Sequence, residues 1–207
     1  MDELDLRSVD EVLATARSVR KKLDFERPIE PSVILECIDL AAQAPTGAVA
    51  GESWRFVVAT DAQPKQALAR LYGEVLEEFA EMRGIEIKPT QRALVERLHH
   101  IPAMVLVCVA APPPTEEVSA QVGFYGSILP AAWSLMLAFR SRGIGCTWTS
   151  LLAARQEEVR QILNMPEDSM HTVMLPIGYT KGAKLRRAER LPAQDITFWQ
   201  SWDRPTQ

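Results

Sequence analysis

A mixed helix-and-strand protein built around one core is what this sequence predicts, on three observations. Its 207 residues are 47% hydrophobic and 24% charged, enough apolar material for a single full domain. Three short apolar runs, "WRFVVA" at 54–59, "AMVLVCVA" at 103–110 and "HTVMLPIGYT" at 171–180, have the length and continuity of buried strands. Before, between and after them lie stretches with apolar residues at helical spacing.

Taken in order, Ser8 with Glu11 three residues later makes a capping box. Val9, Val12, Leu13 and Ala16 form one stripe, so a helix is expected from about residue 9 into the cluster Arg17, Arg20, Lys21 and Lys22. Cations on a last helical turn gain roughly 0.3–1 kcal/mol from the macrodipole, so on its own the cluster reads either as a charged helix end or as an anion site. The second helix is "EPSVILECIDLAAQAP": Pro31 suits a first helical position, and Val33, Ile34, Cys37, Ile38, Ala41 and Ala42 recur at helical spacing up to Pro45. The small-residue loop "APTGAVAGES" then leads into the first strand.

Two helices are expected at about 64–82 and 90–99, the first amphipathic through Leu68, Leu71, Val75, Leu76 and Phe79, together forming a cover or lid. "APPPTEE" reads as a rigid turn into the longest helix, 117–141, which is apolar around much of its circumference and carries Pro130 inside it. Such a helix belongs at the protein centre or in a subunit interface. After Gly143 and Gly145, "CTWTS" reads as a strand or loop edge, and "RQEEVRQILNMPED" as an amphipathic helix. The tail "KGAKLRRAERLPAQDITFWQSWD" is charged and ends in Phe198, Trp199 and Trp202, aromatics that need something to pack on; a partner subunit is the obvious candidate.

Several function classes are excluded or disfavoured. A net charge of -4 offers no general basic face for nucleic acid. The N-terminus has no apolar signal core, and the longest apolar runs are too interrupted to span a bilayer, so a cytoplasmic protein without a membrane partner is expected. Cys37, Cys108 and Cys146 lie in apolar contexts without metal-ligand spacing, and read as reduced buried thiols. His99, His100 and His171 read as caps or core histidines, so no metal is expected. There is no GxGxxG or GxxxxGK[ST] phosphate loop, no GxSxG elbow and no HExxH. The glycines of "RGIGCTW" and "APTGAVAG" fit either a flat ligand approached by backbone or ordinary turns.

The ordered set "RSVR", "LAAQAPTG", "WRFVV", "FYGSILPA", "RSRGIGCTWTSL", "IGYTKG" and "RLP" nevertheless resembles one family, the FMN-dependent nitroreductases, over nearly the whole chain. The resemblance implies an α+β fold with a mixed central sheet flanked by helices. It also implies an interlocked homodimer in which residues 183–207 of one subunit wrap onto the other, and FMN at the dimer interface. Matched residue by residue, Arg17 and Ser18 face the ribityl phosphate and hydroxyls, and Arg20 the N1–C2=O edge, where a cation stabilises the charge that collects on reduction. Arg190 matches the second phosphate ligand, with Arg186 and Arg187 nearby. Pro45, Thr46 and Gly47 match a loop reaching the flavin from the other subunit. Gly145, Trp148, Thr149 and Ser150 match the segment whose backbone lies over the ring and donates near N5. Phe124 and Tyr125 are candidates for stacking on the acceptor or, equally, core aromatics, while Lys21 and Lys22 stay solvated.

The implied activity is ping-pong hydride transfer from NADH or NADPH through flavin N5 to an electron-poor acceptor such as a nitroaromatic, quinone or enone. The protein supplies position and electrostatics, so no catalytic side chain is expected. One segment departs from the family: where members commonly carry Asn and Gln before the Trp, "AVAGES" has neither. That departure keeps two alternatives open. One is a specialised member, a biosynthetic dehydrogenase, dehalogenase or flavin-consuming enzyme; the other is a non-catalytic flavin-binding protein.

Overall fold

The computed structural model describes residues 5–47, 53–111 and 116–202; the altered loop 48–52 and the proline turn 112–115 lie outside them. The chain divides into two compact units, one of Ala16–Ala183 and one of the described residues in Met1–Thr15 and Lys184–Gln207.

The larger unit is organised by four strands, β1 (Trp54–Ala59), β2 (Ala103–Val109), β3 (Ile144–Cys146) and β4 (Met170–Tyr179), in the order β1-β2-β4-β3. Every neighbouring pair among them is antiparallel. The mixed sheet implied by the family resemblance is therefore corrected: the parallel pairing described is a single bridge between Ser18 and Cys146. The predicted strands at 103–110 and 171–180 are the two central ones, which explains their unbroken hydrophobicity, because both faces are covered. Strand β1 is an edge, and its Arg55 is exposed rather than buried. The β2–β4 ladder slips by one residue after Val107, which leaves Thr172 as the extra residue of a bulge, its hydroxyl donating to the Val107 carbonyl at 3.0 Å.

Alternation along the central strands sends side chains into two layers. Val105, Val107, Val173 and Leu175 join Ile34, Cys37 and Ala41 of α2 (Pro31–Ala41) and Leu135 and Phe139 of α6 (Leu129–Ser141) in one core. Met104, Leu106 and Cys108 are equally buried on the other face. There α3 (Ala62–Arg83) packs on α7 (Gln156–Leu163) and on the short 3₁₀ turns at Leu98–His100 and Leu151–Ala154. Leu68, Leu71, Tyr72, Val75 and Leu76 of α3 are buried, so of the cover or lid expected from sequence this helix is the cover, a structural layer of the sandwich. Arg155 ties α3 to the start of α7, donating to both Glu78 oxygens and to Glu158. Helix α4 (Pro89–Arg97) follows α3 after Gly84, whose φ of 60° ends the helix in the left-handed conformation.

The expected long helix at 117–141 is two helices, α5 (Val118–Gly126) and α6, parted at Ser127 and Ile128. Pro130 lies in the first turn of α6, where its missing N–H is harmless, so it starts a helix instead of kinking one. Val118–Ser141 as a whole is long and apolar enough to cross a bilayer by composition, contrary to the sequence reading, but it is broken at its middle and α6 packs on α2 and the sheet.

In the smaller unit, α1 (Leu6–Thr15) starts earlier than predicted. The Ser8 capping box is replaced by Asp5, whose carboxylate accepts the Ser8 N–H at 3.3 Å and the Ser8 hydroxyl at 2.5 Å; these bonds hold the Asp5 carboxyl below its usual pKa. The tail carries a 3₁₀ turn at Ala193–Ile196, then Phe198 and Trp202 stacked with centroids 5.2 Å apart. Trp202 is 86% exposed and Trp199 55%.

Candidate functional site

Helix α1 ends at Thr15, so it does not run into the arginine cluster as expected; Arg17, Ser18 and Arg20 lie on a segment that runs beside β3. The correction has a physical cause, since this backbone is claimed by the sheet. The Val19 N–H donates to the Cys146 carbonyl at 2.8 Å, the Thr147 hydroxyl donates to the Val19 carbonyl at 2.9 Å, and the Asp24 N–H donates to the Tyr179 carbonyl at 2.7 Å. Val19 and Leu23 are buried, which sends Ser18 and the Arg20 guanidinium away from the core. Two segments named independently by sequence, 17–20 and 145–150, are thus brought side by side.

Gly145 makes that approach possible. A Cβ on it would lie 2.9 Å from Leu23 Cδ2, 2.9 Å from Thr180 Cγ2 and 3.0 Å from Val19 Cβ. The sequence left open whether this glycine serves a turn or a ligand; it serves strand-to-strand approach.

Arg20 is half-buried, and among the described residues no carboxylate pairs with it. It acts on Tyr72 of α3, a phenol whose pKa burial raises and Arg20 pulls back. Tyr72 was invisible to sequence reasoning because it reads as one more apolar position of an amphipathic helix. Arg17 donates to its own neighbour, the Ala16 carbonyl, at 2.6 Å. Lys21 and Lys22 are exposed, as expected.

Downstream of β3, Thr149 pairs with Met174 through both backbone groups, at 3.1 and 2.9 Å, and its hydroxyl also donates to the Met174 carbonyl, at 3.0 Å. Thr149 is therefore spent on the sheet. Trp148 and Ser150 flank it, and their N–H groups have no acceptor among the described residues. In an extended segment consecutive N–H groups point to opposite sides, so these two face away from Met174.

A second cluster forms around Ser127. The Gly47 N–H donates to Ser127 Oγ at 2.9 Å, Ser127 Oγ donates to the Gly123 carbonyl at 2.8 Å, and the Trp54 indole N–H donates to the Ser127 carbonyl at 3.0 Å. Pro45 and Thr46, exposed, precede Gly47 on this loop. Phe124 and Tyr125, edge to face with centroids 5.2 Å apart and both half-buried, end α5 just before Ser127. Ser127 was missed in the sequence, where the visible signal was a small polar residue three positions before a helix-starting proline. Arg186 and Arg190 lie on the exposed tail of the smaller unit, Arg190 donating to the Glu189 carbonyl at 3.2 Å.

All three cysteines are free and buried. Burial pushes the thiol pKa of Cys108 and Cys146 up to about 12 and raises that of Cys37, so none is a nucleophile. Among the described residues no group of His, Cys, Asp and Glu fits a metal ion.

Helices on both faces of a small antiparallel sheet define an α+β protein, and among the described residues a half-buried arginine with no carboxylate partner lies on the segment beside the edge strand β3. The chain belongs to the nitroreductase family, whose sequence profile matches residues 13–179. Solved structures share the fold at low identity. The nitroreductase-like family protein from Bacillus cereus aligns with a TM-score of 0.68 and 20% identity over 95% of this chain and 97% of that one. The NADPH:FMN oxidoreductase from Vibrio harveyi, complexed with NAD+, aligns at 0.68 and 18% over 94% and 78%. Iodotyrosine deiodinase bound to FMN and 3-iodo-L-tyrosine aligns at 0.65 and 21% over 87% and 94%. No curated protein matches the sequence.

Proposed function

We propose that this protein is an FMN-dependent oxidoreductase that passes hydride from NADH or NADPH to an electron-poor acceptor. The observation that carries the reading is the half-buried, carboxylate-free Arg20 beside the idle N–H groups of Trp148 and Ser150. A positive charge and two unspent donors at one strand edge suit a planar group that is anionic at one side and accepts hydrogen bonds at another. When bound, FMN would supply the hydride-carrying centre, at N5, for a ping-pong reaction.

In this reading Arg20 faces the pyrimidine edge, and Arg17 and Ser18 face the ribityl chain and phosphate. Because Thr149 is spent on Met174, the donor near N5 falls to Trp148 or Ser150. Gly145 places the segment and Pro45 to Gly47 approach from a second subunit, with Phe124 and Tyr125 lining the acceptor side. By the family resemblance Arg186 and Arg190 are the candidates for a second phosphate contact. The chain acts as a single domain whose tail from residue 183 packs on the partner of a homodimer; the exposed Trp199 and Trp202 support this. A small-molecule acceptor is the other partner, and the compartment is cytoplasmic.

The test is the visible spectrum of the pure protein, followed by anaerobic addition of NADPH: a flavin absorbance that bleaches is expected, and a colourless protein that takes up no FMN overturns the reading. Flavin that bleaches without any nitroaromatic, quinone or enone restoring the colour would place the protein among the specialised members. Flavin that neither nicotinamide reduces would make it a binding protein. Arg20→Ala is expected to weaken FMN binding about 10- to 100-fold in a protein that stays folded, the size of a lost charge-assisted hydrogen bond. Truncation after Arg190 is expected to shift the sedimentation coefficient from dimer toward monomer; an unchanged coefficient removes the tail from the interface.

A further inference from the structure

We infer that Ser127 is a positioning residue that locks the 45–47 loop to the end of α5, so that the cofactor side and the acceptor side of the site move together. The inference rests on the flavin reading for what the loop touches, but the lock itself stands on geometry. Ser127 is 6% exposed and joins three parts of the chain: its Oγ holds the Gly47 N–H at 2.9 Å and the Gly123 carbonyl at 2.8 Å, and its own carbonyl holds the Trp54 indole at 3.0 Å. A serine hydroxyl has one proton, and here it is committed to Gly123, which leaves a lone pair aimed at Gly47.

The glycine is required by the same contact. A Cβ on Gly47 would stand 2.9 Å from Ser127 Oγ, the nearest atom it would meet, and Gly47 is not among the residues of positive φ. Gly47 is therefore glycine so that its backbone can reach Ser127, which gives "APTG" a reason that does not involve a turn. Phe124 and Tyr125 lie three and two residues before Ser127 on α5, a helix with no fully buried residue of its own. Its main polar anchor at this end is the Ser127 bond set. A shift of α5 to admit a bulky acceptor is then passed to residues 45–47 through one hydroxyl, and a shift of the loop on cofactor binding is passed back.

The experiment uses the full chain and two readouts, FMN affinity by fluorescence titration and exchange of the Gly47 amide by NMR without FMN. Ser127→Ala is expected to weaken FMN about tenfold and to speed Gly47 exchange about tenfold, the loss of one hydrogen bond. Gly47→Ala is expected to do likewise, and the double variant to be no weaker than Ser127→Ala alone, because removing Oγ vacates the space the new methyl needs. Ser127→Thr, which keeps the hydroxyl, is expected within about threefold of the parent in both readouts. Parent-like exchange and affinity in Ser127→Ala, losses that multiply in the double variant, or a threonine variant as loose as the alanine one would each overturn the lock. A parent that binds no FMN overturns the flavin reading instead, and the Gly47 exchange then decides the lock alone.

Discussion

Gly145→Val is expected to destabilise the protein by roughly 3 kcal/mol, at the upper end for an overpacked core position, and, on the proposed flavin reading, to abolish FMN uptake with it. The side chain would enter a space whose nearest atoms already stand 2.9, 2.9 and 3.0 Å from the first added carbon. The Leu23 and Thr180 methyl groups sit at side-chain ends and are able to swing aside. Val19 Cβ is not, because it is fixed to a backbone that Cys146 and Thr147 hold by hydrogen bonds. Relief therefore comes by pushing the 17–23 segment off β3, which breaks those bonds and displaces Ser18 and Arg20 together. Gly145→Ala is expected to follow the same course with a smaller loss. The check is a urea titration: the valine midpoint should fall by about 1–3 M relative to the parent, given slopes of about 1–3 kcal/mol per molar. A parent-like midpoint would mean the strand edge is looser than its packing indicates.

The second large effect is a loss of stability in acid through His171. This residue is 1% exposed on β4 and, among the described residues, neither ring nitrogen has a hydrogen-bond partner; the Leu152 carbonyl lies close enough to oppose the shift without the geometry of a bond. Burial, with a smaller push from Arg160, brings its pKa from 6.5 down to about 4. The folded protein therefore keeps the ring neutral while the unfolded chain takes up a proton. Stability is full above pH 6.5 and is lost as pH falls from about 6.5 to about 4, by up to about 3 kcal/mol. Carboxylates titrate in the lower part of that window, so the comparison is with His171→Leu, in which this part of the acid sensitivity should vanish. Parallel stability curves for parent and variant between pH 7 and 4.5 would show that the ring is hydrated or bonded after all.

Both effects arise where sequence reasoning stopped. Strand and helix positions were legible wherever period and burial agree: β2 and β4 read as unbroken apolar runs because both faces are covered, and Pro31 marks a helix start. Pro130 was nevertheless misplaced inside a helix, since nothing in "GSILP" outweighed the continuous hydrophobicity on either side. The arginine cluster was misread for a related reason. A stripe at 9, 12, 13 and 16 extends naturally into residue 17, and only the distant Cys146 and Thr147 show that the chain leaves the helix to pair with β3. Local pattern carries no record of such pairings. The candidate site was legible as a set of short segments in a fixed order, enough to name the family, whereas the work done by Gly145, Ser127 and Tyr72 depends on contacts between residues far apart in the chain, such as Gly145 with Val19, Ser127 with Gly47 and Tyr72 with Arg20.

The order β1-β2-β4-β3 also has a consequence for how the protein comes into being. The central ladder sets Val105 against Leu175, and between them in the chain lie α5, α6, β3 and α7. During synthesis β2 emerges with seven buried-type residues and only the edge strand β1 to pair with, and its other flank stays open until β4 leaves the ribosome. Contact order this high slows folding and prolongs the life of an unpaired hydrophobic edge. Chaperone dependence and aggregation during rapid expression should therefore track the half-made sheet, and slowing translation after residue 109 should worsen them.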